Sequence, residues 1–209
     1  MVQKSAKRRG RPRAYDPDTA LAAAMGTFWD AGYAGTSLDD ISAGTGMNRP
    51  SLYAAFGDKH ALYLQALERY RAAGMAAMHE ALDYDRPLRD ALHTLYQRAL
   101  SLYLSGENAP RGCFLIGTAL AESVLDADVR NALRHALRDF DAAFAARLRH
   151  AHERGDLPRD ADPAALATLA SAVLHTLAIR SRAGEPRKAL EATIGAALDL
   201  ICGKRRRRR

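Results

Sequence analysis

Apolar residues recur at three- and four-residue spacing along almost the whole chain, and no segment sustains the apolar/polar alternation that a half-buried strand needs. That periodicity predicts an all-α fold. The first stripe is Leu21, Ala24, Met25, Phe28 and Trp29, opened by Asp16 as a cap and Pro17 at the first helical position and closed by Gly32. Ser37-Leu38-Asp39-Asp40 has capping-box spacing and opens a short helix through Ile41, which Gly44-Thr45-Gly46 ends. Asn48 caps a second short helix, with Pro50 in its tolerated first turn and Leu52 and Phe56 facing inward. Two short helices about a glycine turn make a helix-turn-helix.

Beyond it, a longer helix from Asp58 toward Gly74 connects two modules. Further helices are expected over 88–104, over 114–123, from Asp126 to Gly155-Asp156, from Asp162-Pro163 through Ala178, and over 188–201. The expected organisation is a basic arm (1–15), a three-helix helix-turn-helix domain (16–60), a helical-bundle domain (61–202) and a basic tail (203–209).

Charge is distributed unevenly. Lys and Arg number 31 against 24 Asp and Glu, a net of +7, yet residues 1–13 and 204–209 hold six basic side chains each and no acidic ones. Taking those twelve away leaves 19 basic against 24 acidic, a net of −5. With 48% hydrophobic and 26% charged residues the composition is that of a globular protein. The longest apolar stretch, 164–179, is interrupted by Thr168, Ser171, His175 and Thr176 and falls short of the ~20 residues that cross a bilayer, so no membrane span is expected. No apolar core follows the basic opening, which does not read as an export signal. Cys113 and Cys202 form no disulfide framework, in keeping with a reducing cytoplasm. His150 and His152 point to different helix faces, and His135 with Asp139 supplies only two ligands, so neither a metal nor a cofactor is expected. Nucleophile elbow, phosphate loop and paired-carboxylate motifs are absent from the sequence, and no enzyme is expected.

The stretch 16–62 carries Gly32-Tyr33, Thr36-Ser37, Ile41, Gly46, then Leu52-Tyr53-Ala54-Ala55-Phe56-Gly57-Asp58-Lys59 and Leu62. In that order and spacing it resembles the DNA-binding domain of the TetR/AcrR family of bacterial transcription regulators; beyond residue 75 the likeness rests on helix lengths and on the Glu153-Arg154-Gly155-Asp156-Leu157 end of the long helix. The resemblance implies a homodimer on a palindromic double-stranded operator, most often a repressor, released when a small-molecule or reactive effector acts on the second domain. Met47-Asn48-Arg49-Pro50 departs from the family pattern, so no operator sequence is implied. In a helix-turn-helix the N-terminal residues of the second helix reach base edges, here Arg49, Ser51, Tyr53 and Ala54 beside the capping Asn48. Arg49 is the long donor suited to guanine, while family analogy gives Tyr53, Thr36, Ser37 and Lys59 to phosphates. An architectural DNA-coating protein without a ligand is the alternative.

Within the second domain, Tyr96, Tyr103, Phe114, Phe140, Phe144 and His175 supply aromatic surface and polar tips for an effector. Cys113 follows Arg111 and precedes a helix start, two features that favour thiolate. In the last helix, Ala192, Gly195 and Ala196 lie beside Leu190, Ile194 and Leu198, one face for the core and one for a partner copy.

Residues 14–62 hold Arg49 and Lys59 against six aspartates, a net of −4, which suits DNA poorly. The arm supplies the counter-charge. Its Arg9-Gly10-Arg11-Pro12 resembles an AT-hook core, in which two arginines enter the narrow minor groove of A·T-rich DNA. Removing residues 1–13 is expected to flatten the plot of log affinity against log salt by ~0.9 for each phosphate that is no longer neutralised, several units for a dimer, and to erase any preference for A·T-rich flanks. An unchanged slope in a salt titration excludes the arm from DNA.

Overall fold

A computed structural model of the chain describes residues 15–106 and 109–204, and all regular structure among them is helical. Helices α1 (Pro17–Gly35), α2 (Leu38–Thr45) and α3 (Arg49–Phe56) form the N-terminal module. The rest comprises α4 (Lys59–Ala81), α5 (Leu88–Tyr103), a π-helical turn (Leu115–Ala119) running into α6 (Leu120–Glu122), then α7 (Ala127–Glu153), α8 (Pro163–Arg182) and α9 (Arg187–Cys202).

Polar side chains set where the helices begin. Asp16, Ser37, Asn48, Asp58, Asp126 and Asp162 each accept a hydrogen bond from a backbone N–H of the turn that follows. Asp40 completes a reciprocal capping box with Ser37. Hydrogen bonds, from the Thr19 hydroxyl foremost at Asp16 and from the Ser37 hydroxyl foremost at Asp40, hold both carboxyls below the usual range. Half of the six aspartates that make the helix-turn-helix acidic (Asp16, Asp40 and Asp58) are therefore helix caps.

Two elements differ from the sequence reading. Helix α4 runs on through Gly74 to Ala81, although a glycine inside a helix costs about 1 kcal/mol relative to alanine. A Cβ at Gly74 would lie 3.3 Å from the Phe140 ring, so the missing side chain lets α4 and α7 pack closely. The 114–123 segment is only partly α-helical, because Leu115–Ala119 adopts the wider π form, a rare conformation that recurs at functional sites.

Helix α8 packs against α5, α7 and α9 and buries Ala167, Ala170, Val173, Leu174, Leu177 and Ala178. At 20 residues it is long and apolar enough to cross a membrane by length and composition, which the 164–179 stretch alone was not. Its buried apolar side chains pack inside the bundle, while Ala165, Ala172 and Ile179 are exposed.

Residues 111–113 cross between α1 and α8. Gly112 has φ +65°, and a Cβ there would stand 2.8 Å from the Ala178 carbonyl and 3.1 Å from Arg182 Cβ. Both the backbone angle and the space require glycine. Gly112→Ala is expected to destabilise the fold by about 2 kcal/mol or more, read as a lower denaturant midpoint at unchanged slope.

Candidate nucleic-acid interface and effector cavity

The helix-turn-helix presents α3 with Leu52 and Phe56 buried and Tyr53 half exposed at 50%. Arg49, its first residue, forms a two-pronged ion pair with Asp39 in the first turn of α2, Nε to Oδ1 at 3.1 Å and Nη2 to Oδ2 at 2.7 Å. Asn48 Oδ1 accepts from the Ser51 N–H at 2.9 Å, so these two residues join in the cap. The Ser37 hydroxyl donates to Asp40 at 2.6 Å.

Thr36 departs from its expected role. It is 2% exposed, and its hydroxyl donates back to the Gly32 carbonyl at 2.6 Å, so it closes the last turn of α1 and is not a free donor to phosphate. Lys59 Nζ stands 4.3 Å from the centroid of the Tyr33 ring, a cation–π contact that keeps its charge at the corner between α1 and α4. Arg9 and Arg11 lie outside the described residues.

Behind the helix-turn-helix, aromatic rings join α1 and α4 to the π turn. Phe114 lies 5.7 Å from Trp29, 6.0 Å from Tyr63 and 5.7 Å from Tyr70, centroid to centroid. Tyr63 packs on Phe28 at 5.0 Å and Tyr33 at 4.8 Å. Its hydroxyl donates to Thr118 Oγ1 at 2.8 Å, and Thr118 donates in turn to the Phe114 carbonyl. The Arg111 carbonyl accepts from Trp29 Nε1 (3.3 Å) and from Arg182 Nη1 (2.8 Å), tying α1 and α8 to one peptide.

On the other side of Trp29 and Tyr70 is a cavity of about 400 Å³, lined also by Met25, Gly74, Met78, Leu95, Leu102, Tyr103, Cys113, Phe140 and Leu174. Among the residues expected to meet an effector, Tyr103, Cys113 and Phe140 line it. Tyr96, Phe114 and Phe144 do not: each is fully buried, Phe114 in the aromatic junction and Tyr96 against the Ala170 carbonyl, which accepts its hydroxyl at 2.9 Å. Their apolar helix faces were used by the core. His175 lines a separate groove of about 500 Å³ between α7 and α8, with Asp141 and Ser171. There burial lowers its pKa, against the opposing pull of Asp141, so it is neutral near pH 7.

The cavity is not confined to residues beyond 61, since α1 supplies Ala22, Met25 and Trp29. Sequence reasoning missed those residues and Tyr70, whose stripes read as ordinary core. It also missed that His60, Asp126 and Asp128 bring ligand-type atoms within 4.8 Å of one another. Asp126 caps α7 there and pairs with His60 Nε2 at 2.8 Å, joining the heads of α4 and α7.

The lining is electrically quiet. Its two arginines are partly exposed and paired, Arg69 with Asp18 at 3.4 Å and Arg98 with Glu80 at 2.7 Å. Burial raises the pKa of Tyr70 and Tyr103 well above that of a free phenol. It likewise raises the Cys113 thiol, against hydrogen bonds from Tyr70 and from backbone that favour thiolate, and Arg111 beside it is paired with Asp30 at 2.8 Å. Around Cys113 the neighbouring cation is thus engaged by Asp30, and desolvation favours the thiol over the thiolate that the sequence position alone suggests. Cys202 is pushed up to about 11, again by burial. Because thiolate is the reactive form, iodoacetamide is expected to label both cysteines of the folded protein far more slowly at pH 7 than it labels the unfolded chain, as followed by mass spectrometry. Equal rates would overturn the burial account.

Residues 20–66 match the family model described as bacterial regulatory proteins of the tetR family, and residues 87–197 match that of the tetracyclin repressor-like C-terminal domain. The HTH-type transcriptional repressor ComR of Escherichia coli (strain K12) is 33% identical over 198 residues, covering 93% of this chain and 92% of that protein. The uncharacterized HTH-type transcriptional regulator YezE of Bacillus subtilis (strain 168) is 30% identical over 159 residues, 76% of this chain and 81% of its own length. Among solved structures, the regulator CifR, a cysteine mutant complexed with 26-bp operator DNA, is 34% identical with a TM-score of 0.76, covering 90% of this chain and 98% of that one. The chain therefore belongs to the TetR family of bacterial transcription regulators, which act by binding DNA.

Proposed function

We propose that two copies of the chain form a cytoplasmic homodimer that represses transcription from a palindromic operator and releases it when a neutral, largely apolar small molecule enters the cavity. The observation that carries this reading is that α1 and α4, which hold the helix-turn-helix, also wall the cavity. Protonated phenols, a thiol and paired cations offer hydrogen bonds without net charge. A mostly apolar molecule with one acceptor suits them. Occupancy shifts α4, and with it the separation of the two recognition helices, which must stay near one DNA turn, ~34–36 Å. Arg49 and Tyr53, with Asn48, Ser51, Ser37 and Lys59 around them, form the operator surface, and Arg9 and Arg11 of the arm add minor-groove contacts. The relatives' names support the repressor reading, and the CifR complex supports an operator-bound form.

Exposed small and apolar side chains on the last two helices support the dimer. Ala192, Ala196 and Leu200 repeat at four-residue spacing on α9, while Ala165, Ala172 and Ile179 repeat at seven on α8. Leu190, Ile194 and Leu198 face inward. Such a stripe allows close approach of a second copy.

Light scattering at micromolar concentration is expected to give roughly twice the chain mass. Selection from random DNA should return a palindrome, and a compound screen should then find effectors that release it. Tyr103→Ala and Phe140→Ala are expected to change the effector response severalfold, whereas His175→Ala leaves it unaltered. The converse pattern would move the effector to the groove between α7 and α8.

A further inference from the structure

Asp39 is an anomaly on a surface that meets a polyanion. The other carboxylate of that turn, Asp40, is committed to the capping box, whereas Asp39 has no capping duty and points its two oxygens at Arg49. Both side chains are largely exposed, Arg49 at 55% and Asp39 at 75%. Exposed ion pairs contribute little to stability. A carboxylate among phosphates also opposes DNA binding. A first-turn carboxylate gains modestly from the dipole of α2, but that gain needs no arginine partner, and general affinity for DNA does not account for the pair.

The geometry of the pair does. Asp39 takes the side edge of the guanidinium, through Nε–H and one N–H of Nη2. A guanidinium has five N–H donors, so three remain, and one from each terminal nitrogen points along the side-chain axis. That free end edge is the fork that bonds guanine O6 and N7 together. On the rest of α3, Pro50 and Ala54 carry no side-chain donor, Asn48 Oδ1 is engaged by the Ser51 backbone N–H, and Ser51 and Tyr53 each offer a single hydroxyl, so Arg49 is the side chain of this helix that can present two N–H groups to one base. Arginine loses more side-chain freedom on ordering than almost any other residue, and a prior partner lowers that cost at the moment of binding.

We propose that Asp39 is a positioning residue for sequence readout: it holds Arg49 by the side edge and aims the end edge at a guanine in each operator half-site. This inference rests on the operator-binding reading above. It makes Asp39 a determinant of specificity that contacts no base itself, and it predicts that removing a negative charge from the DNA-facing surface harms discrimination while sparing or raising overall affinity.

The test uses the full chain, with operators selected from random duplex DNA, for wild type, Asp39→Asn, Asp39→Ala and Arg49→Ala. Circular dichroism and thermal melting confirm that each variant folds. Wild type is expected to select a guanine in each half-site and to lose on the order of ten- to hundredfold in affinity when that G·C pair is exchanged. Arg49→Ala should abolish the penalty. Both Asp39 variants should reduce it about fivefold or more, with affinity for unrelated DNA equal or higher, and Asp39→Ala added to Arg49→Ala should reduce it no further. Wild-type discrimination retained in both Asp39 variants, while Arg49→Ala loses it, overturns the positioning role and leaves operator binding intact. Tighter operator binding at full discrimination, the mark of a brake on Arg49, overturns it too. A wild-type chain with no base preference removes the operator reading and the inference together.

Discussion

The packing of Phe114 joins the N-terminal module and α4 to the π turn of the bundle. The ring is fully buried and meets Trp29 of α1 and both Tyr63 and Tyr70 of α4. Aromatic pairs of this kind contribute ~0.5–1.5 kcal/mol each beyond the area they bury. The gain depends on ring angle and separation. The same rings also pack directly on one another, Trp29 on Tyr70 at 5.1 Å and Tyr63 on Phe28 at 5.0 Å, so α1, α4 and Phe114 form one continuous aromatic cluster.

The backbone reinforces this arrangement. One carbonyl, that of Arg111, accepts hydrogen bonds from both α1 and α8, and the Tyr63–Thr118–Phe114 chain of hydrogen bonds crosses from α4 into the π turn. Trp29 and Tyr70 touch Phe114 on one side and the cavity on the other. Close-packed interiors transmit displacement because they have little void to absorb it. The cavity and the helix-turn-helix therefore share a wall.

Much of this was legible before folding, because caps and helical stripes are local. Asp16, Ser37, Asn48, Asp126 and Asp162 all cap as their spacing implies, and Tyr103 and Phe140 do line a cavity. What escaped was non-local. Gly74 reads as a helix end until Phe140 is seen pressed against it. Thr36 reads as an exposed hydroxyl until the Gly32 carbonyl claims it. Tyr96, Phe114 and Phe144 cannot be told from Tyr103 by periodicity, since core and cavity wall present the same apolar face. The Arg49–Asp39 pair joins two helices across the turn, a relation that side-chain spacing along one helix does not encode.

The acidity of the folded helix-turn-helix bears finally on how such a protein divides its time in a genome. An operator competes with ~10⁶–10⁹ other sites, and protein is lost to them in proportion to its attraction for arbitrary duplex, which is almost wholly electrostatic. A recognition surface whose arginine is matched by Asp39 adds little of that attraction, and the charge for it is carried by the basic arm and tail. Attraction for arbitrary duplex and readout of a particular sequence then reside in different parts of the chain, and each can change without the other.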